Sequence, residues 1–262
     1  MKERVDRLLV TRGLAPTPEK AQALIMAGLV SSAGRAVMKP GERLDEEADV
    51  LVKSPLPFVG RGGLKLAEAM DKFGVDVSGK VAVDIGSSTG GFTDCLLQRG
   101  SRKVFAVDVD TKQLDWRLRR DTRVTMIEKN ARYLSPEDLG ELVDFVVLDV
   151  SFISLLKILP AVKRLPGAWE LMTLIKPQFE AGRGEVGEKG IVRDPAVHES
   201  VLIHIIGEAQ AMGFRLRGLI PCSTHGQRGN VEFLALWTRV GPGHDAEAVQ
   251  ALIKEAVRHE TR

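Results

Sequence analysis

Residues 81–94 read V-A-V-D-I-G-S-S-T-G-G-F-T-D. A β-prone apolar run enters a turn carrying Gly86, Gly90 and Gly91, and a helical stretch, F-T-D-C-L-L-Q-R, leaves it. Strand, tight turn and helix in that order bring backbone close to a ligand, because glycine permits both the turn and the approach.

Spacing separates the chemistries that such a turn can serve. The dinucleotide fingerprint G-x-G-x-x-G lacks its second glycine, since Ser88 stands there, and the close approach of a pyrophosphate is disfavoured. Residues 86–90 also spell the hydrolase elbow G-x-S-x-G, with Ser88 as nucleophile and Asp149 and His225 following in the required chain order. No H-G-G-G-type oxyanion segment precedes it. A turn that only joins a strand to a helix is the plain alternative.

A third chemistry uses more of the residues. Asp84 closes the first strand and Asp108 the second, where a carboxylate can accept hydrogen bonds from both hydroxyls of a ribose. A cofactor with ribose but no pyrophosphate fits, and S-adenosylmethionine is one, its sulfonium cation tolerating nearby acids. The candidate cofactor-binding residues are then Asp84, Gly86, Ser87, Ser88, Thr89, Gly90, Gly91, Phe92 and Asp108, with Asn130 at the adenine edge. Each acid is equally at home as a loop or helix cap, and Asn130 as a turn residue.

Outward from the turn, apolar runs at 81–85, 104–109, 124–128, 144–150 and 171–176 alternate with helical stretches. This pattern predicts a parallel sheet covered on both faces. Two further runs, 215–221 and 231–240, are joined by C-S-T-H-G-Q-R-G-N (222–230), too short for a helical crossover and suited to an antiparallel pair. The expected fold is α/β, with a mostly parallel seven-stranded sheet across 63–242 and a C-terminal helix across 243–262.

Upstream, Val5, Leu8, Leu9 and then Ala21, Leu24, Ile25 recur at helical spacing, with Thr17-Pro18-Glu19 as a helix start. Short β-prone runs follow, broken at Ala33-Gly34 and Pro40-Gly41. A small α+β domain of two helices on a hairpin sheet is expected over 1–54. Ser54-Pro55-Leu56-Pro57 reads as the stiff start of a linker over 55–62.

Composition narrows the function classes. Net charge is only +2, so affinity for nucleic acid has to come from placement of basic residues. Two cysteines, Cys95 and Cys222, without C-x-x-C spacing, argue against a disulfide scaffold or a zinc site and for a reducing compartment. No metal is expected, and His198 and His204 read as ordinary helix residues. No apolar run approaches the roughly 18 residues of a membrane helix, so a cytoplasmic protein with no membrane partner is expected.

The runs F-V-G-R-G-G-L-K-L (58–66), D-I-G-S-S-T-G-G-F-T-D, V-L-D-V-S-F-I-S, I-K-P-Q-F-E and G-N-V-E-F resemble the haemolysin-like TlyA family, within the FtsJ-like rRNA methyltransferases. The resemblance covers nearly the whole chain. It implies a Rossmann-like methyltransferase that takes S-adenosylmethionine and methylates a ribose 2′-hydroxyl of ribosomal RNA, a cytidine of 16S or 23S rRNA, with ribosomal subunits as partners. It also carries over a catalytic Lys-Asp-Lys-Glu set, matched here by Lys65, Asp149, Lys176 and Glu232. In that set Lys176 is the expected base, with Asp149 and Glu232 expected to orient the lysines and Lys65 to position ribose or phosphate. Taken alone, Lys65 and Glu232 also suit solvated surface positions. Asp149 and Lys176 follow apolar strands, where open α/β sheets bind ligands. The family's historical name also raises a membrane-active haemolysin, against which the lack of a spanning segment counts.

The text R-V-D-R-L-L-V-T-R-G-L through A-Q-A-L-I-M-A-G-L-V is similar to the αL-motif RNA-binding domain of a small-subunit ribosomal protein, tyrosyl-tRNA synthetases and pseudouridine synthases. Arg4, Arg7, Arg12, Lys20 and Arg35 are its candidate RNA contacts. Pro18 departs from the arginine common there, and Ser32-Ala33-Gly34 from the usual Val-Asn-Gly turn. A second basic group comprises Arg117, Arg119, Arg120, Arg123 and Arg132, and the glycine-rich segment 180–198 adds Arg183, Lys189 and Arg193. That segment has the character of a loop closing over substrate.

Overall fold

A computed structural model describes residues 2–53, 57–182 and 184–259, with Gln227 by its backbone alone. Residues 54–56 of the expected linker, Arg183 and the last three residues lie outside the described set. The chain divides into two compact units between residues 56 and 57.

In the first unit β1 (Lys2–Arg4) leads into α1 (Val5–Thr11), and α2 (Pro18–Met26) follows. Thr17 caps α2 by accepting a hydrogen bond from the Lys20 amide at 3.3 Å. Pro18 sits at the first helical position, where a missing N–H costs nothing. The strands are β2 (Val30–Ser32), β3 (Arg35–Ala36), β4 (Arg43–Asp45) and β5 (Val50–Val52). Ala33 and Gly34 both have positive φ, 46° and 75°, as a two-residue hairpin turn between β2 and β3 requires. The apolar stripes of α1 and α2 meet in a core of Val5, Leu8, Leu9, Ala21, Ile25 and Val30. The sheet is not one hairpin. β3-β2-β5 form one sheet, while β1 pairs antiparallel with β4, setting Lys2 against Asp45.

The second unit starts with α3 (Gly62–Phe73) and continues β6 (Val81–Ile85), α4 (Gly91–Gln98), β7 (Lys103–Asp108), α5 (Trp116–Arg119), β8 (Val124–Glu128) and β9 (Phe145–Leu148). Then come α6 (Leu159–Lys163), β10 (Glu170–Ile175), α7 (Pro177–Glu180), α8 (Pro195–Ala211), β11 (Arg215–Pro221), β12 (Phe233–Thr238) and α9 (Ala246–His259). All seven expected strands form one sheet in the order β11-β12-β10-β9-β6-β7-β8. β12 runs antiparallel to both neighbours and inserts between β10 and β11, whereas the pairs among β10, β9, β6, β7 and β8 are parallel.

The two-residue period of a strand sorts its side chains between layers. Val81, Val83 and Ile85 of β6 join Val146 and Leu148 of β9 against α6, α8 and α9. Ala82 joins Phe145 and Val147 on the opposite face, against Leu66 and Met70 of α3 and Leu96 of α4. Asp84 has the parity of Ala82, so it points into the layer beneath α4. That parity decides its surroundings.

Candidate active site

The glycine turn lies at the carboxyl ends of β6 and β7. The amides of Gly86 and Ser87 both donate to the Val107 carbonyl, at 2.8 and 3.1 Å, which ties the turn to β7. Gly86 has φ +87°, and a Cβ there would sit 2.9 Å from the Asp149 carbonyl carbon and closer still to its oxygen. Gly90, with φ +98°, would set a Cβ 2.8 Å from Leu114. Conformation demands glycine at both positions, and at Gly86, where the neighbour is backbone, so does space.

Asp108 is held from two sides: one carboxylate oxygen accepts from the Ser88 amide at 2.8 Å, the other from the Asp110 amide at 3.1 Å. A carboxylate has about four acceptor sites, so the fixed group keeps capacity for a diol. Asp108 lines a cavity of about 540 Å³ together with Gly86, Ser88, Asn130, Asp149 and Phe152. Asn130 is a turn residue that also reaches the cavity. Its Oδ1 accepts from the Arg132 amide at 3.1 Å, capping a short helical turn, and it also walls the cavity.

A smaller cavity of about 130 Å³ shares Gly86, Ser88 and Asp149 with the first and is also lined by Arg61, Thr89 and Phe92. The buried Ser87 hydroxyl has no hydrogen-bond partner among the described residues. A volume of several hundred cubic ångströms, an open diol acceptor, two obligate glycines and an orphaned hydroxyl together suit a nucleoside with a polar tail. These residues fit S-adenosylmethionine.

Asp84 takes a different place from the one its position beside the turn suggests. It is fully buried, borders neither cavity, and accepts a hydrogen bond from the Thr93 hydroxyl at 2.6 Å. Burial, with Asp149 and Asp108 as neighbouring negative charges, pushes its carboxyl up to about 7. Asp84 supports the turn from behind through α4.

The four residues carried over by resemblance form two lysine–carboxylate pairs. Lys176, following β10, places Nζ 2.5 Å from an Asp149 carboxylate oxygen and donates to the Ser151 hydroxyl at 3.0 Å. Lys65 of α3 pairs with Glu232, which precedes β12. Lys65 and Glu232 are both buried, so they are not surface charges. Burying such a pair is weak as a source of stability, since desolvation offsets the attraction. A Cβ on Gly62, three residues before Lys65, would lie 4.0 Å from Asp149 Oδ2, so α3 begins beside the other pair.

Two residues of the site carried no signal in spacing or periodicity. Gln178 of α7 donates from Nε2 to Glu232 Oε1 at 3.0 Å. Phe152 has φ +64° and is 88% exposed, its ring 5.0 Å from that of Phe179. An exposed aromatic ring at a cavity wall is a stacking surface. The Ser88–Asp149–His225 triad does not assemble: Asp149 is paired with Lys176, and His225 lines a separate cavity with Glu68, Lys72 and Cys222.

The basic residues fall into two groups. Arg4 binds Asp6 through two hydrogen bonds, Arg12 donates to the carbonyls of Glu46 and Ala48, and Arg35 pairs with Glu42. Arg7 and Lys20 are exposed, and no side-chain ion pair engages them among the described residues. In the second unit Arg117 and Arg123 pair with Asp115 and Asp121, and Arg132 lies over Tyr133. The glycine-rich loop is clasped: Asn230 donates to the Gly190 carbonyl and accepts from the Val192 amide, both at 3.0 Å, and Arg228 donates to the Lys189 carbonyl at 2.6 Å. The loop is thus tied to the segment that leads into Glu232.

Comparison with known proteins places these features in context. Residues 58–239 match the model of the FtsJ-like methyltransferases, and residues 3–50 match the S4 domain. A Bacillus subtilis protein named as a candidate rRNA methyltransferase, YqxC, is 48% identical over 97% of this chain and 94% of its own. The 16S/23S rRNA (cytidine-2′-O)-methyltransferase TlyA of Mycobacterium tuberculosis is 42% identical, over 90% of this chain and 89% of its own. A solved structure of a hemolysin candidate from Streptococcus thermophilus superposes with a TM-score of 0.75 at 42% identity, covering 99% of this chain and 97% of that one.

Proposed function

The chain belongs to the FtsJ-like methyltransferase family and carries an S4 domain at its N-terminus, and from that premise we propose that it methylates a ribose 2′-hydroxyl of ribosomal RNA. The observation that carries this reading is the Lys176–Asp149 pair, whose Asp149 lines a cavity suited to S-adenosylmethionine, with the buried Lys65–Glu232 pair joined to the same segment through Gln178. Its relative TlyA is named for cytidine 2′-O-methylation of 16S and 23S rRNA, and a cytidine of either subunit is the target proposed here. Such a substrate puts the protein in the cytoplasm. Among the described residues no helix is long and apolar enough to cross a membrane.

When bound, S-adenosylmethionine supplies a methyl group activated by its sulfonium. Asp108 would take the ribose hydroxyls, Gly86 to Gly91 would present backbone to the tail, and Asn130 would border the adenine. Methyl transfer is an in-line displacement, so the chain's main task is to hold the target oxygen on the axis and relieve it of its proton. Lys176 is the residue we assign to that proton, and Asp149 at 2.5 Å is the counter-ion of its ammonium form. Lys65, fixed by Glu232 inside the fold, holds the ribose or its phosphate in place. A target base drawn out of its stack can rest on Phe152.

In the first unit, Arg7 and Lys20 are the contacts we assign to RNA phosphates, with Arg4, Arg12 and Arg35 bracing that surface through their own partners. Phosphate contacts of this kind set register without reading sequence.

The proposal is tested by alkaline hydrolysis of rRNA treated with the protein and S-adenosylmethionine. A 2′-O-methyl group blocks cleavage at its own linkage, so one gap is expected in the ladder. Methylated rRNA with an unbroken ladder would put the methyl group on a base and overturn the ribose assignment.

A further inference from the structure

Glu232 is gripped at both carboxylate oxygens. Oε2 takes the Lys65 ammonium, and Oε1 accepts from Gln178 Nε2 at 3.0 Å. Gln178 stands two residues after Lys176 on the segment that leaves β10. One carboxamide therefore ties the segment bearing the first lysine to the carboxylate that holds the second. Gly226 closes a third side, since a Cβ there would overlap the Glu232 carboxylate.

The other end of the same carboxamide is informative. Gln178 Oε1 is shielded from water and has no hydrogen-bond partner among the described residues. A glutamine placed for stability is expected to satisfy both ends, because a buried carbonyl left unpaired is unfavourable. Reversing the amide would set its oxygen against the Glu232 carboxylate, so the observed orientation is the one the carboxylate imposes. The side chain makes one hydrogen bond, to Glu232, at the expense of its own oxygen. A local rule broken at a functional site is the pattern expected where function outranks stability.

We propose that Gln178 is a positioning residue for methyl transfer, which locks the Glu232 carboxylate in the rotation that aims Lys65 and couples the two lysine–carboxylate pairs. The proposal rests on Lys65 and Glu232 being part of the methyl-transfer site. Without Gln178 the carboxylate keeps one partner and turns about its terminal bond, and the Lys65 ammonium moves with it. The loss falls on the aligned complex rather than on binding of the cofactor, because Gln178 borders neither cavity at the glycine turn.

The test uses Gln178→Met, similar in volume but lacking both polar atoms, in the full-length protein with unmethylated ribosomal subunits. The expected result is a kcat lower by roughly tenfold or more, with S-adenosylmethionine affinity within twofold of wild type and a melting temperature that is unchanged or higher. A purely structural glutamine would show the reverse, a lower melting temperature with kcat retained, and that result overturns the proposal. Should Gln178→Met fail to fold, Gln178→Glu carries the test. Its protonated form restores a donor toward Glu232, so its activity relative to wild type must rise as pH falls from 8 to 6, and a flat ratio overturns the proposal. Glu232→Ala separates the premise from the link. If Glu232→Ala keeps full activity, the site assignment fails, whereas an inactive Glu232→Ala beside a fully active Gln178→Met sinks the link alone.

Discussion

Gly86 and Asp149 are in backbone contact: the α-carbon of the one faces the carbonyl of the other so closely that no side chain fits between them. The turn that would hold the methyl donor and the acid that pairs with Lys176 thus form one rigid junction between β6 and β9. Gly86→Ala adds a methyl group at φ +87° and forces that junction apart. S-adenosylmethionine binding measured by calorimetry should weaken by roughly a hundredfold or more, since conformational strain and overlap add. An alanine variant that bound the cofactor as tightly as wild type would separate the turn from the site.

Asp108 is anchored by two amides, so replacing it changes the cavity wall without releasing a mobile side chain. Asp108→Ala should weaken S-adenosylmethionine binding by about ten- to a hundredfold, the loss of charge-assisted hydrogen bonds to a diol. RNA affinity in the absence of cofactor should not change. Equal losses for both ligands would point to a damaged fold instead.

Asp84 makes stability depend on pH, and the sign follows from its burial. In the unfolded chain its carboxyl titrates near 3.8, and in the folded protein it is pushed up to about 7. Between those values the unfolded state sheds the proton first, so stability falls as pH rises from about 4 to 7 and levels off above. Asp84→Asn keeps an acceptor for the Thr93 hydroxyl and removes the titration. Relative to wild type it should gain stability on going from pH 5 to pH 8, by roughly 2 to 3 kcal/mol. Denaturant unfolding at the two pH values measures the difference, and an unchanged difference contradicts the assignment.

How far these features were legible in the chain depends on whether their cause is local. The seven strands of the sheet were readable because each is an apolar run between turn signals, and V-A-V-D-I followed by three glycines marks where a ligand meets backbone. β1 was not readable: Lys2–Arg4 has no apolar alternation, and it becomes a strand only through Arg43–Asp45, some forty residues on. The face of Asp84 is a matter of parity, since counting by twos from Ala82 turns it away from the core face of Val83 and under α4. Gln178 and Glu232 are 54 residues apart, and no periodicity links a residue after one strand to a residue before another. Phe152 is exposed in a positive-φ turn, a conformation that its sequence neighbours do not announce.

Arg7 offers a guanidinium to solvent in the first unit, unlike Arg4, Arg12 and Arg35, which have partners within that unit. Arg7→Glu should weaken binding to ribosomal RNA and lower the slope of log affinity against log salt by about one. Turnover at saturating RNA should stay near wild type. A loss of turnover with no change in salt slope would show that Arg7 does not contact phosphate.

The central claim, methyl transfer to a ribose oxygen driven by the two lysine–carboxylate pairs, is tested most directly by methyl-labelled S-adenosylmethionine with separated small and large ribosomal subunits. Wild-type protein should label rRNA of at least one subunit, nuclease digestion should release the label as a 2′-O-methylnucleoside, and Lys176→Ala should cut the rate on saturating substrate by roughly 10²- to 10⁴-fold. No labelled RNA from either subunit, label on a base, or a Lys176→Ala variant as fast as wild type would contradict it.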